Sequence, residues 1–189
     1  ITKEWINKKK IENKIIDGEI IPGNKFENFC KSRNESFINA RRELDKRGIV
    51  NNTYLLLMDA DMVLKNRSFD KSKLTENSYE LLQIENGEQV YQNIRLIVAN
   101  HKWECKCVTH EFWRDNSPFA CTKLNLLKEL YILDLSDGNN KQDKHNRDLT
   151  LLLEAIEKET EKDIKQRYAF YIARTYYSLK KYTESLEWF

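Results

Sequence analysis

Asp59 and Asp61 stand two residues apart, directly after the apolar run Tyr54-Leu55-Leu56-Leu57-Met58. That run is short, continuously apolar and preceded by Asn51-Asn52-Thr53, the pattern of a buried strand. Two carboxylates placed just beyond a buried strand repel each other unless something compensates their charge. In open α/β sheets, ligands bind in the crevice outside the carboxyl ends of the strands. A hard divalent cation takes oxygen ligands and commonly shares them with substrate phosphates. The pair therefore reads either as ligands of a phosphate-holding cation or as a solvated pair in a turn, and a D-x-D pattern alone is too short to separate the two.

The elements that must position this pair follow from apolar spacing. Ile1, Trp5, Ile6, Ile11, Ile15 and Ile16 predict a helix over 1–16, ended by Asp17-Gly18, with a turn at Pro22-Gly23. Asn28 to Arg47 predicts a second helix, with Phe29, Phe37, Ala40 and Leu44 toward the core and Gly48 as its stop. The strand over 53–58 comes next, and this helix–strand alternation predicts an α/β layered domain. Tyr79–Ile84 and Tyr91–Val98, separated by Glu85-Asn86-Gly87-Glu88, predict a hairpin. Strands are predicted again over 103–108 and 130–133, and a loop over 136–146. The stretch from Leu149 onward is helical by spacing.

The chain has 189 residues, 40% of them hydrophobic, enough for one full domain and part of another. Lys and Arg number 32 against 30 for Asp and Glu, and this near balance argues against nucleic acid as the main partner. No apolar stretch is long enough to span a bilayer and no signal-peptide pattern is visible, so a cytoplasmic location is the expectation. The four cysteines lack paired Cys-x-x-Cys spacing, and buried free thiols are expected rather than a zinc site. On a continuous strand Cys105 and Cys107 would share one face.

Four segments then fall in order: Asn28-Phe29-Cys30-Lys31-Ser32-Arg33-Asn34, Leu55 to Asp61, Val108-Thr109-His110-Glu111-Phe112, and Asp137-Gly138 through Lys144-His145-Asn146-Arg147-Asp148. Over about residues 15–189 this resembles the family-two glycosyltransferases of GT-A fold, in the branch that carries tetratricopeptide repeats after the catalytic domain. Counting from Ala173 as the repeat's small residue, Tyr176, Tyr182 and Phe189 take its aromatic positions, Ser185 its second small position and Ile172 its Leu position. The resemblance implies a partial, Rossmann-like GT-A domain over 1–147 and the start of a tetratricopeptide-like helical hairpin over 148–189. It also implies that a first strand and an Asp-containing loop, which hold the nucleotide base, belong before this segment.

The same resemblance implies roles for individual residues. Arg33 and Asn34 face the nucleotide, with Arg33 on base or phosphate through its planar fork of donors. Asp61 binds the metal, Mn2+ or Mg2+, and Asp59 the ribose or the metal. Glu111 is the general base toward an acceptor hydroxyl; taken alone it also reads as a salt-bridged or capping carboxylate. His110 reads as a metal ligand, a phosphate donor or a structural histidine. Lys144 and Arg147 neutralise the leaving diphosphate. The family often has a His near the end of the preceding strand as a further metal ligand; here that strand ends in Asp134, with Asp137 and His145 nearby, and Asp137 is the candidate taken for the third ligand. Trp103 and Trp113 flank the His-Glu pair, either to pack on a sugar or to fill the core.

The implied activity is metal-dependent transfer of a sugar from a nucleotide-sugar donor to an acceptor, with inversion. A protein or peptide acceptor is suggested because repeat arrays present concave surfaces. Two other readings stand beside it: a non-catalytic scaffold whose repeat helices bind a peptide, and a metal-dependent nucleotidyltransferase, which would also use paired Asp residues.

Overall fold

The computed structural model describes residues 28–59, 61–85, 87, 89–118, 120, 125–135 and 143–189. The helix expected over 1–16, the turn at 22–23, Cys121 and most of the loop expected over 136–146 lie outside them. The described residues form a mixed α/β fold. A five-stranded sheet has the order β1-β4-β3-β7-β2, with β1 Tyr54–Leu56, β2 Met62–Asn66, β3 Ser78–Glu85, β4 Gln89–Val98 and β7 Leu126–Asp134. Strands β5 Trp103–Lys106 and β6 Phe112–Asp115 form a separate antiparallel pair. Pairing of β3 with β7 is parallel, whereas β4 runs against β1 and β3, and β2 against β7.

Helix α1 spans Phe29–Lys46. It starts where the Asn28 side chain accepts a bond from the Lys31 N–H at 2.8 Å, satisfying one of the donors a first turn leaves open. It stops at Gly48, whose φ of +69° suits glycine. There the Gly48 N–H bonds the Asp45 carbonyl and the Ile49 N–H the Leu44 carbonyl, which is a Schellman closure. Of the residues expected to face the core, Phe37 is buried but Phe29 is 41% exposed. Phe37 packs with Ile97, Trp103, Cys105 and Trp113, and so fastens α1 to the sheet and to the β5–β6 pair.

The hairpin expected around Gly87 is present as β3–β4, and Gly87 has a φ of +75°. A second cluster, Leu81, Leu130 and Ile132, takes in Met58 and Met62 from either side of the Asp59–Asp61 segment. The chain between β1 and β2 is thus pinned at both ends as it passes from one edge of the sheet to the other.

Helices α2 Lys144–Lys158, α3 Lys162–Ser178 and α4 Tyr182–Trp188 follow. Leu149, Leu152, Ile164, Tyr168 and Ile172 form a third cluster together with Cys107. Strand β5 ends at Lys106, and Cys107 has a φ of +75°. The expectation that Cys105 and Cys107 share a strand face is therefore corrected: the turn sends Cys105 to the core under α1 and Cys107 to the helices. Lys144 to Asn146, expected in a loop, already belong to α2. Lys106 and Arg114 bond Glu161, and Arg114 also bonds Asp163, tying the β5–β6 pair to the start of α3. Within the helical part Ser185 donates to the Ala173 carbonyl at 2.9 Å, both residues being buried at the α3–α4 crossing. Among the described residues no helix is long and apolar enough to cross a membrane.

Candidate functional site

Asp59 sits just past β1 and meets Arg33 from α1. Arg33 lies one turn before the buried Phe37, so the helix face that anchors in the core also directs the guanidinium toward β1. Arg33 engages both carboxylate oxygens of Asp59, with Nη1 on Oδ1 and Nη2 on Oδ2 at 3.2 Å. Burial lowers the Arg33 pKa, but the paired carboxylate outweighs it and the net shift is upward. A second cation, Arg95 from β4, places Nη1 3.8 Å from Asp59 Oδ2. Asp59 therefore stands between two guanidinium groups while keeping a side-chain exposure of 31%.

Arg95 is the residue that sequence reasoning missed. It is buried, and it donates to Gln83 Oε1 at 2.8 Å and to the Leu57 carbonyl at 3.3 Å. Gln83, wholly buried on β3, donates in turn to the Tyr91 hydroxyl at 2.9 Å and to Asp134 Oδ2 at 3.4 Å. Burial, first of all, lowers the Arg95 pKa, and Asp59 opposes that shift. The group remains cationic, because a guanidinium does not deprotonate in the working range of a protein. The available signal was a polar residue inside each of two apolar runs, Leu81-Leu82-Gln83-Ile84 and Ile94-Arg95-Leu96-Ile97; a charge in such a place must be paired.

A cavity of about 420 Å³ opens beside the Arg33–Asp59 pair. Its walls come from α1 (Phe29, Ser32, Ser36, Phe37), from β1 and the residues after it, and from Trp113. Trp113 and Trp103 are both buried in the core, and Trp103 Nε1 bonds the Val98 carbonyl at 3.0 Å; of the two, only Trp113 reaches the cavity.

Glu111 lies half-buried in the electrostatic field of Arg33, Asp59 and Asp148, and so links the α1 side of the site to α2. Burial raises its pKa, Arg33 works against the rise, and Asp59 and Asp148 add to it. His110, with a φ of +53°, turns the chain just before it. Its ring lies flat on Tyr171 of α3, with centroids 3.9 Å apart, and its backbone carbonyl accepts from Arg167 at 2.9 Å. Cover of the ring lowers the His110 pKa; Asp148 opposes this, while Lys144, Arg174 and Arg167 reinforce it. His110 as a residue is exposed, yet Tyr171 covers one face of its ring, and its pKa is pushed down to about 4.

The remaining expected site residues divide. Asn34 was expected to face a nucleotide, but its amide spans the Cys105 backbone instead, donating to the carbonyl at 2.9 Å and accepting from the N–H at 2.7 Å. Its physical task is to hold β5 against α1. Lys144 opens α2 and its charge adds to the lowering of the His110 pKa, and Arg147 pairs with Asp148 at 3.4 Å. Neither makes a hydrogen bond to Asp59 among the described residues. Asp61 is anchored by its backbone, whose carbonyl accepts from the Leu135 N–H at 3.0 Å just past β7. Asp137 lies outside the described residues.

No group of three or more His, Cys, Asp or Glu side chains placed to hold a metal occurs among the described residues. The donor chemistry nonetheless suits Mg2+ or Mn2+, because such ions are held by one or two carboxylates together with phosphates and water. Of the two carboxylates, Asp59 already has two guanidinium partners. Compared with models of known protein families the chain matches none, and no curated protein is significantly similar to it.

Proposed function

We propose that this chain carries much of the site of an inverting glycosyltransferase that uses a nucleotide-sugar donor, with a GT-A type domain followed by tetratricopeptide-like helices. The observation that carries the reading is one grouping. Arg33 and Asp59 line a cavity, Arg95 supports Asp59 from the sheet, and Glu111, with a raised pKa, lies in the field of Arg33 and Asp59. A carboxylate whose pKa rises toward the working pH is a stronger base than an ordinary glutamate.

In this mechanism the donor's nucleoside part enters the cavity beside Asp59, and Arg33 attracts its phosphates through its donor fork. Glu111 removes the proton from an acceptor hydroxyl. The acceptor oxygen then bonds to the anomeric carbon as the carbon–oxygen bond to the diphosphate breaks, and the electron pair leaves with the diphosphate. One displacement inverts the anomeric centre. A divalent cation on Asp61, when bound, would stabilise charge on the departing phosphates. Lys144 and Arg147 add positive charge from the α2 side.

The test is an assay of full-length protein with a panel of sugar nucleotides and Mn2+, following both transfer and donor hydrolysis. Asp61→Asn and Glu111→Gln are each expected to reduce turnover by about a hundredfold or more. Unchanged rates in both variants would remove the assigned roles. The reading of the chain as a non-catalytic peptide-binding scaffold draws on the α3–α4 hairpin and its exposed aromatic residues. Calorimetry separates the two: a scaffold binds no sugar nucleotide in the presence of Mn2+.

A further inference from the structure

Two cysteines 75 positions apart in the chain meet where α1 lies on β5. Cys30 sits half-buried in the first turn of α1, and Cys105 sits within β5 with 1% of its surface in water. The Cys30 thiol donates to the Cys105 carbonyl at 2.6 Å, and both side chains belong to the cluster built on Phe37, Ile97, Trp103 and Trp113. The two sulfur atoms are also hydrogen-bond partners of each other. Cys107 is not part of this group, because the turn at its φ of +75° sends it to the helices.

The surroundings hold Cys105 in place without the help of the Cys30 thiol. Asn34, one turn after Cys30, donates to the Cys105 carbonyl at 2.9 Å and accepts from its N–H at 2.7 Å. The carbonyl therefore keeps a donor if the Cys30 proton is lost, and no buried backbone group is orphaned by a reaction at the sulfur. Only Cys30 is open to a reagent from water. Contact with the Cys105 thiol lowers the Cys30 pKa, against burial and the charges of Glu111 and Glu104. The same contact, and burial after it, raises the pKa of Cys105. Capping of Cys30 removes the larger of these two restraints on Cys105.

We propose that Cys30 and Cys105 form an oxidisable pair, in which the accessible Cys30 takes up a small-molecule disulfide and the buried Cys105 resolves it. The Cys30 thiolate attacks one sulfur of the disulfide, the S–S bond of the reagent breaks, and its first half leaves as a thiol with the proton that Cys30 gave up. Cys105 then loses its proton and its sulfur attacks Cys30 Sγ, and the second half of the reagent leaves as a thiol with that proton. Two protein thiols are oxidised and one small disulfide is reduced to two thiols. The product is a covalent link between α1 and β5, one turn before Arg33, so it fixes the part of the helix that carries the Arg33–Asp59 pair. This inference does not rest on the glycosyltransferase reading.

The experiment treats the whole folded chain with millimolar glutathione disulfide, alkylates the remaining thiols and maps tryptic peptides by mass spectrometry. Cleavage after Lys and Arg puts each cysteine on its own peptide, 26–31, 103–106, 107–114 and 115–123, so each possible pairing has its own mass. The joined pair 26–31 with 103–106 is expected as the main product, to be reversed by dithiothreitol, and to fall several-fold in yield when the chain is first unfolded in urea. In the reduced protein Cys30 is expected to alkylate at least about tenfold faster than Cys105. Cys105→Ala should leave glutathione attached to Cys30, and Cys30→Ala should leave Cys105 unmodified. Recovery of both cysteines as free thiols, a larger yield of Cys30 joined to Cys107 or Cys121, equal yield from the unfolded chain, or direct attachment of glutathione to Cys105 in Cys30→Ala would each overturn the proposal.

Discussion

Arg95→Met tests the view that a buried polar chain holds Asp59 in place. Met has nearly the reach of the arginine stem but none of its donors. The substitution takes the guanidinium away from Gln83 Oε1, which is wholly buried, from the Leu57 carbonyl and from Asp59. A buried acceptor left without its donor costs about 1–3 kcal/mol, and the Leu57 carbonyl loses a longer bond of the same kind. Asp59 loses less. It keeps Arg33 and is 31% exposed, so water and the remaining cation limit that part to under about 1 kcal/mol. The sum is about 2–4 kcal/mol, or a fall in melting temperature of roughly 5–15 °C for a chain of this size.

A second substitution makes the reasoning refutable. Gln83→Leu removes the acceptor that Arg95→Met leaves exposed to nothing. Replacing both partners by apolar groups of similar shape costs much less than removing one. Tyr91, the other main partner of Gln83, is 39% exposed and can turn to water. The double variant is therefore expected to be more stable than Arg95→Met alone by about 1 kcal/mol, measured by urea unfolding with equal m-values. Simple additivity of the two losses, or a cost of Arg95→Met below about 0.5 kcal/mol, would refute the claim that Arg95 and Gln83 depend on each other.

Two further predictions concern charge and backbone. The Glu111 pKa is raised above its ordinary value of 4.5, so its ionised form is stabilised less in the folded than in the unfolded chain. The stability it contributes is complete below that ordinary value and is lost as pH rises through the higher, folded one. Glu111→Gln should therefore be more stable than the parent at pH 7, with the difference vanishing below about pH 4; a constant difference across that range, by thermal unfolding, would contradict the shift. Lys180 closes α3 as Gly48 closes α1, with a φ of +61° and the Lys181 N–H on the Tyr176 carbonyl at 2.9 Å. Lys180→Gly should stabilise the chain by about 1 kcal/mol and Gly48→Ala destabilise it by about 1 kcal/mol, since open space surrounds Gly48 and only backbone strain is at issue. Equal melting temperatures for parent and both variants would contradict that account.

Elements with a strong apolar period were legible in the residues. Helix α1, strand β1 and the β3–β4 hairpin lie close to where spacing, Gly48 and Gly87 place them. Strand β2 was not legible, because Val63, Lys65 and Asn66 face water at a sheet edge and its alternation is weak. Lys144 to Asn146 read as loop for want of apolar residues, yet they begin α2 on the exposed side of a helix that buries Leu149 and Leu152. In the candidate site, Asp59 was marked by its place after an apolar run and Arg33 only by the family resemblance, and the two do meet. Asn34 carried the same kind of mark but serves β5, through a partner 71 residues away that no local pattern announces.

The two arginines on Asp59 divide its support by burial. Arg95 is fixed, since it lies in the sheet and also holds Gln83 and Leu57. Arg33 has a quarter of its side chain in water and lines the cavity, and among the described residues its guanidinium hydrogen-bonds Asp59 alone. A phosphate arriving beside Asp59 competes for Arg33 on nearly equal terms, because both are oxyanions meeting one planar fork of donors. It cannot compete for Arg95 without orphaning a buried amide. The arrangement thus gives Asp59 one partner that keeps it in place and one that can be shared with a ligand, and only the shared one faces the cavity.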